Sequence, residues 1–200
     1  MRATVFIVDD DQAVNHSLAL LLESVGLEAR TFISAEAFLD VVKPDVTGCI
    51  LLDIRMPGMS GLQLQQELHE RSIGLPIVFI TGFADVDVAV DVMKKGAFDF
   101  IEKPYNDQLL LETIEKAIQK SQQNLDALIA RNMVNHRINA LTEREREILK
   151  LVVAGNSSND ISKELDISAK TVAVHRANMM HKMQARSVAD LVRMIINVSD

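Results

Sequence analysis

The chain has 200 residues, 48% of them hydrophobic, and a formal net charge of −7, which is enough to bury an ordinary core and suits one domain or two small ones. Its single cysteine excludes an internal disulfide, and no apolar run approaches a membrane span. The opening MRATVFIVDDD has too short an apolar run, followed by acids, for a secretory signal, so a soluble cytoplasmic protein is expected.

Charge divides the chain. Residues 1–120 carry 10 Lys and Arg against 19 Asp and Glu, whereas residues 141–200 carry 9 against 8. Within the second part, Ser168 to Arg193 holds five cations against Asp190 alone, a basic patch that nucleic acid could use.

Up to about residue 118, short apolar or β-branched runs alternate with helical segments. Strands are expected at Thr4 to Val8, Glu28 to Phe32, Cys49 to Asp53, Pro76 to Ile80 and Phe98 to Glu102. Between the first two, Val14, Leu18, Leu21, Leu22 and Val25 recur at helical spacing before Gly26. Further helices are expected at Ala35 to Val42, Leu62 to Arg71, Val86 to Lys95 and Asp107 to Ile118. Such alternation predicts an α/β fold, a parallel sheet covered on both faces. Cys49, inside an apolar strand, fits an inert core thiol better than a redox group.

Residues 121–137 lack Pro and Gly and form the expected helical linker, a candidate continuation of the fifth helix. From Leu141 the pattern changes to short helices alone. Thr142 and Glu145 match a capping box, Ser157 to Leu165 gives a second helix, Asp166 to Ser168 a tight turn, Ala169 to Met183 a third helix and Val188 to Val198 a fourth. The three-residue turn suggests a helix-turn-helix.

In an open parallel sheet, loops at the carboxyl ends of the strands build the site. If the first and third strands are neighbours, Asp9, Asp10 and Asp53 share one crevice. Like charges about 4 Å apart repel by roughly 4 kcal/mol at an effective dielectric of 20, so a divalent cation is a natural remedy, and Mg²⁺ is suited to carboxylates and phosphate. Alternatively, Asp9, Asp10 and Asp11 merely begin a helix, where acids favour the dipole. Thr81 and Lys103, ending the fourth and fifth strands, would add a hydroxyl and an ammonium able to hold an anion delivered onto Asp53.

The strings IVDDD, LLDIRMPGMSG, VFITG and FIEKP, in this order, resemble the receiver domain of two-component response regulators over about residues 1–120. The resemblance implies a CheY-like sheet of order 2-1-3-4-5, with Asp53 as phosphoacceptor from a sensor histidine kinase. It implies Mg²⁺ on Asp9, Asp10, Asp53 and the Arg55 carbonyl, phosphoryl contacts from Thr81 and Lys103, a switch pair of Thr81 and Phe100, and a cis peptide before Pro104. Phe100 read by itself is equally a core residue. A magnesium phosphatase is the rival from the enzyme class, but such enzymes place a second acid two residues after the nucleophile, where this chain has Arg55; no turnover of an external substrate is expected.

LTEREREILKLVVAG, NDISKELDIS and KTVAVHRANMMHKM resemble the DNA-binding domain of FixJ/NarL, or LuxR-type, regulators over about residues 138–200. On the third helix Val172, Met179 and Met183 share one face and should pack inward, while Lys170, Val174, Ala177 and His181 share the face that would enter the major groove. The resemblance implies binding of promoter DNA as a phosphorylation-induced homodimer and, in the FixJ-like branch, activation through RNA polymerase. Thr171 falls in the same segment; Ala173, Val174 and Ala177 could meet thymine methyls, and Lys170, His175, Arg176 and Lys182 could hold phosphates. Val188, Leu191, Val192 and Ile195 either contribute dimer contacts or close the small core. A third alternative gives the C-terminal helices a protein partner instead of DNA.

Overall fold

The computed structural model describes residues 3–43, 46–82 and 86–199. The chain divides into two compact units, Met1–Asp126 and Ala127–Asp200.

In the first unit, strands β1 (Thr4–Val8), β2 (Glu28–Phe32), β3 (Gly48–Leu52), β4 (Ile77–Thr81) and β5 (Asp99–Glu102) alternate with helices α1 (Gln12–Ser24), α2 (Ala35–Leu39), α3 (Gly61–Glu70) and α4 (Val86–Lys94), and α5 (Asp107–Asn139) begins after β5. All strand pairs are parallel and the order is β2-β1-β3-β4-β5. The sheet order is the CheY-like one.

Alternation along the strands builds two core layers. Phe6, Val8, Ile50, Leu52 and Phe79 point to one face, where Phe38, Leu64 and Leu68 cover them. Val5, Ile7, Cys49, Leu51 and Val78 point to the other, beneath Leu18, Leu22, Leu110 and Ile114. Each such fully buried aliphatic or aromatic side chain stabilises the fold by about 1.5–3 kcal/mol relative to exposure. Burial also pushes the Cys49 thiol up to about 12, which leaves it protonated and unreactive.

Most boundaries lie within a residue or so of expectation, and helix α2 is the shorter exception. Helix α2 stops at Leu39, with Asp40 as its C-cap; Pro44 follows closely in sequence, and a proline disfavours helix in the residue before it. Helix α5 runs to Asn139 without a break. Its linker segment is shared between the units: Ser121 Oγ accepts from the buried N–H of Gly48 at 3.1 Å, while Val134 and Ile138 pack into the C-terminal core.

The second unit holds α6 (Glu143–Val153), α7 (Ser158–Glu164), α8 (Ala169–Met183) and α9 (Val188–Ser199). Capping boxes at Thr142/Glu145 and Ser157/Asp160 satisfy the first amides of α6 and α7, and Ser168 caps α8. Ile148, Ile161, Val172, Met179, Met183 and Leu191 form the core. Leu191, with Val188 and Ile195 packed partly against that core, closes it from α9.

Candidate functional site

Residues at four strand ends approach one another. Asp9 follows β1, Asp53 follows β3 and Lys103 follows β5, while Thr81 ends β4. The backbone fixes the register: the Asp53 N–H donates to Val8 O at 2.9 Å, and the Lys103 N–H donates to Thr81 O at 2.8 Å. Asp53 therefore lies one residue past an all-buried strand, anchored by the apolar run behind it.

The loop after Asp53 returns immediately. The Gly61 N–H donates to Ile54 O at 3.0 Å, and a Cβ on Gly61 would stand 2.2 Å from Asp53 O. Only glycine permits that approach. Ser60 then caps α3 in a reciprocal pair with Gln63. From α2, Glu36 Oε1 accepts the Met59 N–H at 3.0 Å, tying the same loop down.

The three consecutive acids have separate roles. Asp11 caps α1, accepting from the Ala13 N–H at 2.8 Å. Asp10 is exposed, and Asp9 is buried. Lys103 Nζ donates to Asp9 Oδ2 at 2.7 Å and to Asp53 Oδ1 at 3.3 Å, so one ammonium bridges carboxylates from two strands. Asp53 Oδ2 also accepts from the Arg55 N–H at 2.7 Å.

Burial pushes the Asp53 carboxyl above its usual range, and the Asp9 charge adds to that; the Arg55 N–H and Lys103 oppose it without cancelling it. Burial works against the Lys103 charge, but its bonds to Asp9 and Asp53 outweigh that and hold the amine above its ordinary value. The pocket thus keeps a permanent cation beside a carboxylate that is poorly solvated. Poor solvation and an adjacent cation are conditions under which a carboxylate can attack an electrophilic phosphorus.

Among the described residues, no three His, Cys, Asp or Glu side chains converge as a ready cage for a metal ion. The structure instead puts a positive charge, the Lys103 ammonium, between Asp9 and Asp53. Asp9 and Asp53 offer carboxylate oxygens, the donor type that suits a hard cation such as Mg²⁺. Thr81 is buried at the end of β4. Phe100, opposite Phe79 in β5, is half-buried against the first core layer, and the Lys103–Pro104 peptide is cis.

On α8, Lys170, Thr171, Ala173, Val174, Ala177 and His181 are exposed, while His175, Arg176 and Lys182 are half-buried. Two of the cations have partners within the unit. Arg176 Nη1 donates to Ser158 Oγ at 3.1 Å, and Lys182 Nζ donates to the buried Glu145 Oε2 at 2.7 Å. Sequence spacing does not reveal either contact, since each joins residues far apart in the chain.

A model of the response regulator receiver domain matches residues 5–115, and a model of bacterial regulatory proteins of the luxR family matches residues 139–195. The chain belongs to the two-component response regulators. The regulator is 43% identical over 197 residues to the transcriptional regulatory protein TdiR of Thauera aromatica, covering 98% of this chain and 87% of that one. To the transcriptional regulatory protein FixJ of Rhizobium meliloti it is 45% identical over 194 residues, covering 96% and 95%. Among solved structures, the response regulator StyR matches with a TM-score of 0.84 at 42% identity, covering 98% of this chain and 99% of that one. Full-length FixJ from B. japonicum matches with a TM-score of 0.59 at 37% identity, covering 100% and 98%. A receiver domain joined to a LuxR-type DNA-binding domain makes the chain a regulator of transcription. Among the described residues no helix is long and apolar enough to cross a membrane.

Proposed function

We propose that the regulator is a cytoplasmic phosphorylation switch in which Asp53 accepts a phosphoryl group from a partner histidine kinase. The observation that carries this reading is the Lys103 ammonium shared between Asp9 and Asp53 at the carboxyl end of the sheet. An Asp53 oxygen attacks phosphorus; a P–O bond forms as the P–N bond to the donor imidazole breaks, and the imidazole leaves with a proton from solvent. Lys103 neutralises charge on the transferred group, and the Thr81 hydroxyl donates to one of its oxygens. Asp9, Asp10, Asp53 and the Arg55 carbonyl would hold Mg²⁺. Bound there, the ion offsets the charge of the acids and of the incoming phosphoryl oxygens. No external substrate is turned over, because Arg55 occupies the position where a general acid would be needed.

Phosphorylation adds charge and acceptor oxygens at one point. Thr81 moves toward them, Phe100 fills the space it leaves, and the altered surface of α4, β5 and α5 pairs two receivers. The functional parts are then a receiver over residues 1–120, a linker over 121–137 and a DNA-binding domain over 138–200. Two copies of α8 enter successive major grooves of promoter DNA, with Ala173, Val174 and Ala177 against bases and Lys170, Thr171 and His175 beside phosphates. Arg176 and Lys182 reach phosphate only by giving up Ser158 and Glu145. The bound dimer activates transcription by recruiting RNA polymerase.

The test compares molecular mass and promoter-DNA affinity with and without a small phosphodonor and Mg²⁺. The expected result is a dimer that binds DNA at least about tenfold more tightly, with an affinity that falls steeply as salt rises. A phosphorylated protein that stays monomeric and binds DNA as before contradicts the coupling.

A further inference from the structure

An open cavity of about 400 Å³ lies in the first unit, at the end of the sheet opposite Asp53. It is bordered by the end of α3, the loop leading into β4, the α4–β5 loop and α5. The strands are five residues long or shorter, so the cavity and the phosphoacceptor end stand roughly 16 Å apart. Neither Asp9, Asp53, Thr81 nor Lys103 lines it.

Its chemistry departs from that of its surroundings. Residues 1–120 carry almost twice as many acids as cations, yet among the described residues none lining the cavity is Asp or Glu. His69, Lys95 and Lys120 supply its charged or chargeable groups, and Leu68, Leu75 and Phe98 give it an apolar wall. Lys95 is paired with Asp91 at 2.7 Å, but both side chains are half-exposed, so that pair holds the amine only weakly.

The walls are fixed. Gln65 is buried and donates Nε2 to Val92 O and to Lys95 O, at 3.3 Å each, which ties α3 to the end of α4; its Oε1 is buried without a hydrogen-bond partner. On the other side, Asn124 Nδ2 donates to Gly74 O at 3.4 Å, holding α5 against the loop before β4. A concave site with set walls, an apolar side and cationic residues in its lining fits a small ligand better than a flat partner surface does.

We propose that this cavity binds a small organic anion, a carboxylate on a compact apolar body. The carboxylate lies toward Lys120 and Lys95, and the body rests on Leu68, Leu75 and Phe98. Because the cavity touches the ends of α3 and α4 and the middle of α5, an occupant braces the receiver from the end remote from phosphorylation.

The test uses the full chain, with benzoate as the probe and benzyl alcohol as its uncharged counterpart, followed by amide NMR shifts. Benzoate should shift the amides of Gly74, Gly96, Ala97 and Phe98 saturably in the millimolar range, and benzyl alcohol should bind about tenfold more weakly. Lys120→Glu, an exposed change that leaves the amide spectrum folded, should weaken benzoate about tenfold or more, whereas Asp53→Asn should leave it unchanged. The last comparison separates this site from the phosphoacceptor reading. Shifts that do not saturate, that scatter over surface lysines, that persist in Lys120→Glu, or that benzyl alcohol reproduces would overturn the proposal.

Discussion

Lys182 Nζ lies 2.7 Å from Glu145 Oε2, joining the last turn of α8 to the first turn of α6. Glu145 is almost wholly buried and also accepts the Thr142 N–H at 2.9 Å, so a single carboxylate caps one helix and positions another. The Lys182 ammonium, helped by the bond to Thr142, holds the Glu145 carboxyl below its usual value of 4.5 despite burial. A carboxylate with a depressed folded-state pKa stabilises the fold above its unfolded value and loses that contribution as pH falls through the folded one. Glu145→Gln should therefore lower stability at neutral pH by roughly 1–3 kcal/mol in urea unfolding. The deficit against wild type should shrink below pH 4.5.

Gly48 and Ser121 make a second long-range lock. Gly48 has φ of +144°, and a Cβ there would stand 1.8 Å from Thr4 O. Gly48→Ala should cost more than about 3 kcal/mol or prevent folding, because the clash is with backbone. Ser121→Ala should cost roughly 1–3 kcal/mol, since it leaves the buried Gly48 N–H without its acceptor. Thermal unfolding followed by circular dichroism distinguishes both from wild type.

Asp53→Asn should raise the thermal midpoint at neutral pH. Burial, with Asp9 adding to it, raises the Asp53 carboxyl above its ordinary value, so the folded state bears a cost for keeping it ionised. A carboxyl with a raised folded-state pKa gains relative stability as pH falls through that pKa and the native state takes up the proton. The advantage of the asparagine variant should consequently fade as pH drops toward 4, which scanning calorimetry at several pH values would show.

For DNA, the exposed face of α8 sets the expectation. Lys170→Ala should weaken promoter binding about uniformly across sequences and reduce the salt slope by about 1, the signature of one lost phosphate contact. Val174, exposed at 55% on the same face, is an aliphatic side chain with no core to join. Val174→Asp should lose affinity at specific sites by about tenfold or more, measured by fluorescence anisotropy.

Much of the fold was legible because its signals are local. Thr4 to Val8, Glu28 to Phe32 and Ala169 to Met183 end where apolar periodicity and capping residues say they should. The remaining strands shift by a single residue, which places Asp53 just beyond β3 rather than inside it. The helical linker was legible from its lack of Pro and Gly, but the contacts that seat it, such as Ser121 to Gly48 across 73 residues, were not. The site was legible as residue types at strand ends. Which acid does what was not, because the separation of Asp9, bound by Lys103, from Asp11, which caps α1, depends on a contact spanning 94 residues. For the same reason the contact of Lys182 with Glu145, 37 residues away, was not legible from spacing.

The most direct measurement of the central claim is phosphate incorporation, by intact-protein mass spectrometry, into wild type and Asp53→Asn exposed to a small phosphodonor with Mg²⁺. The account predicts one phosphoryl group on wild type, labile to both acid and base and released by hydroxylamine as an acyl phosphate is, and none on the variant, with Lys103→Ala slowed by about tenfold or more. Equal labelling of wild type and Asp53→Asn, or no labelling of wild type under conditions that phosphorylate a control receiver, would contradict it.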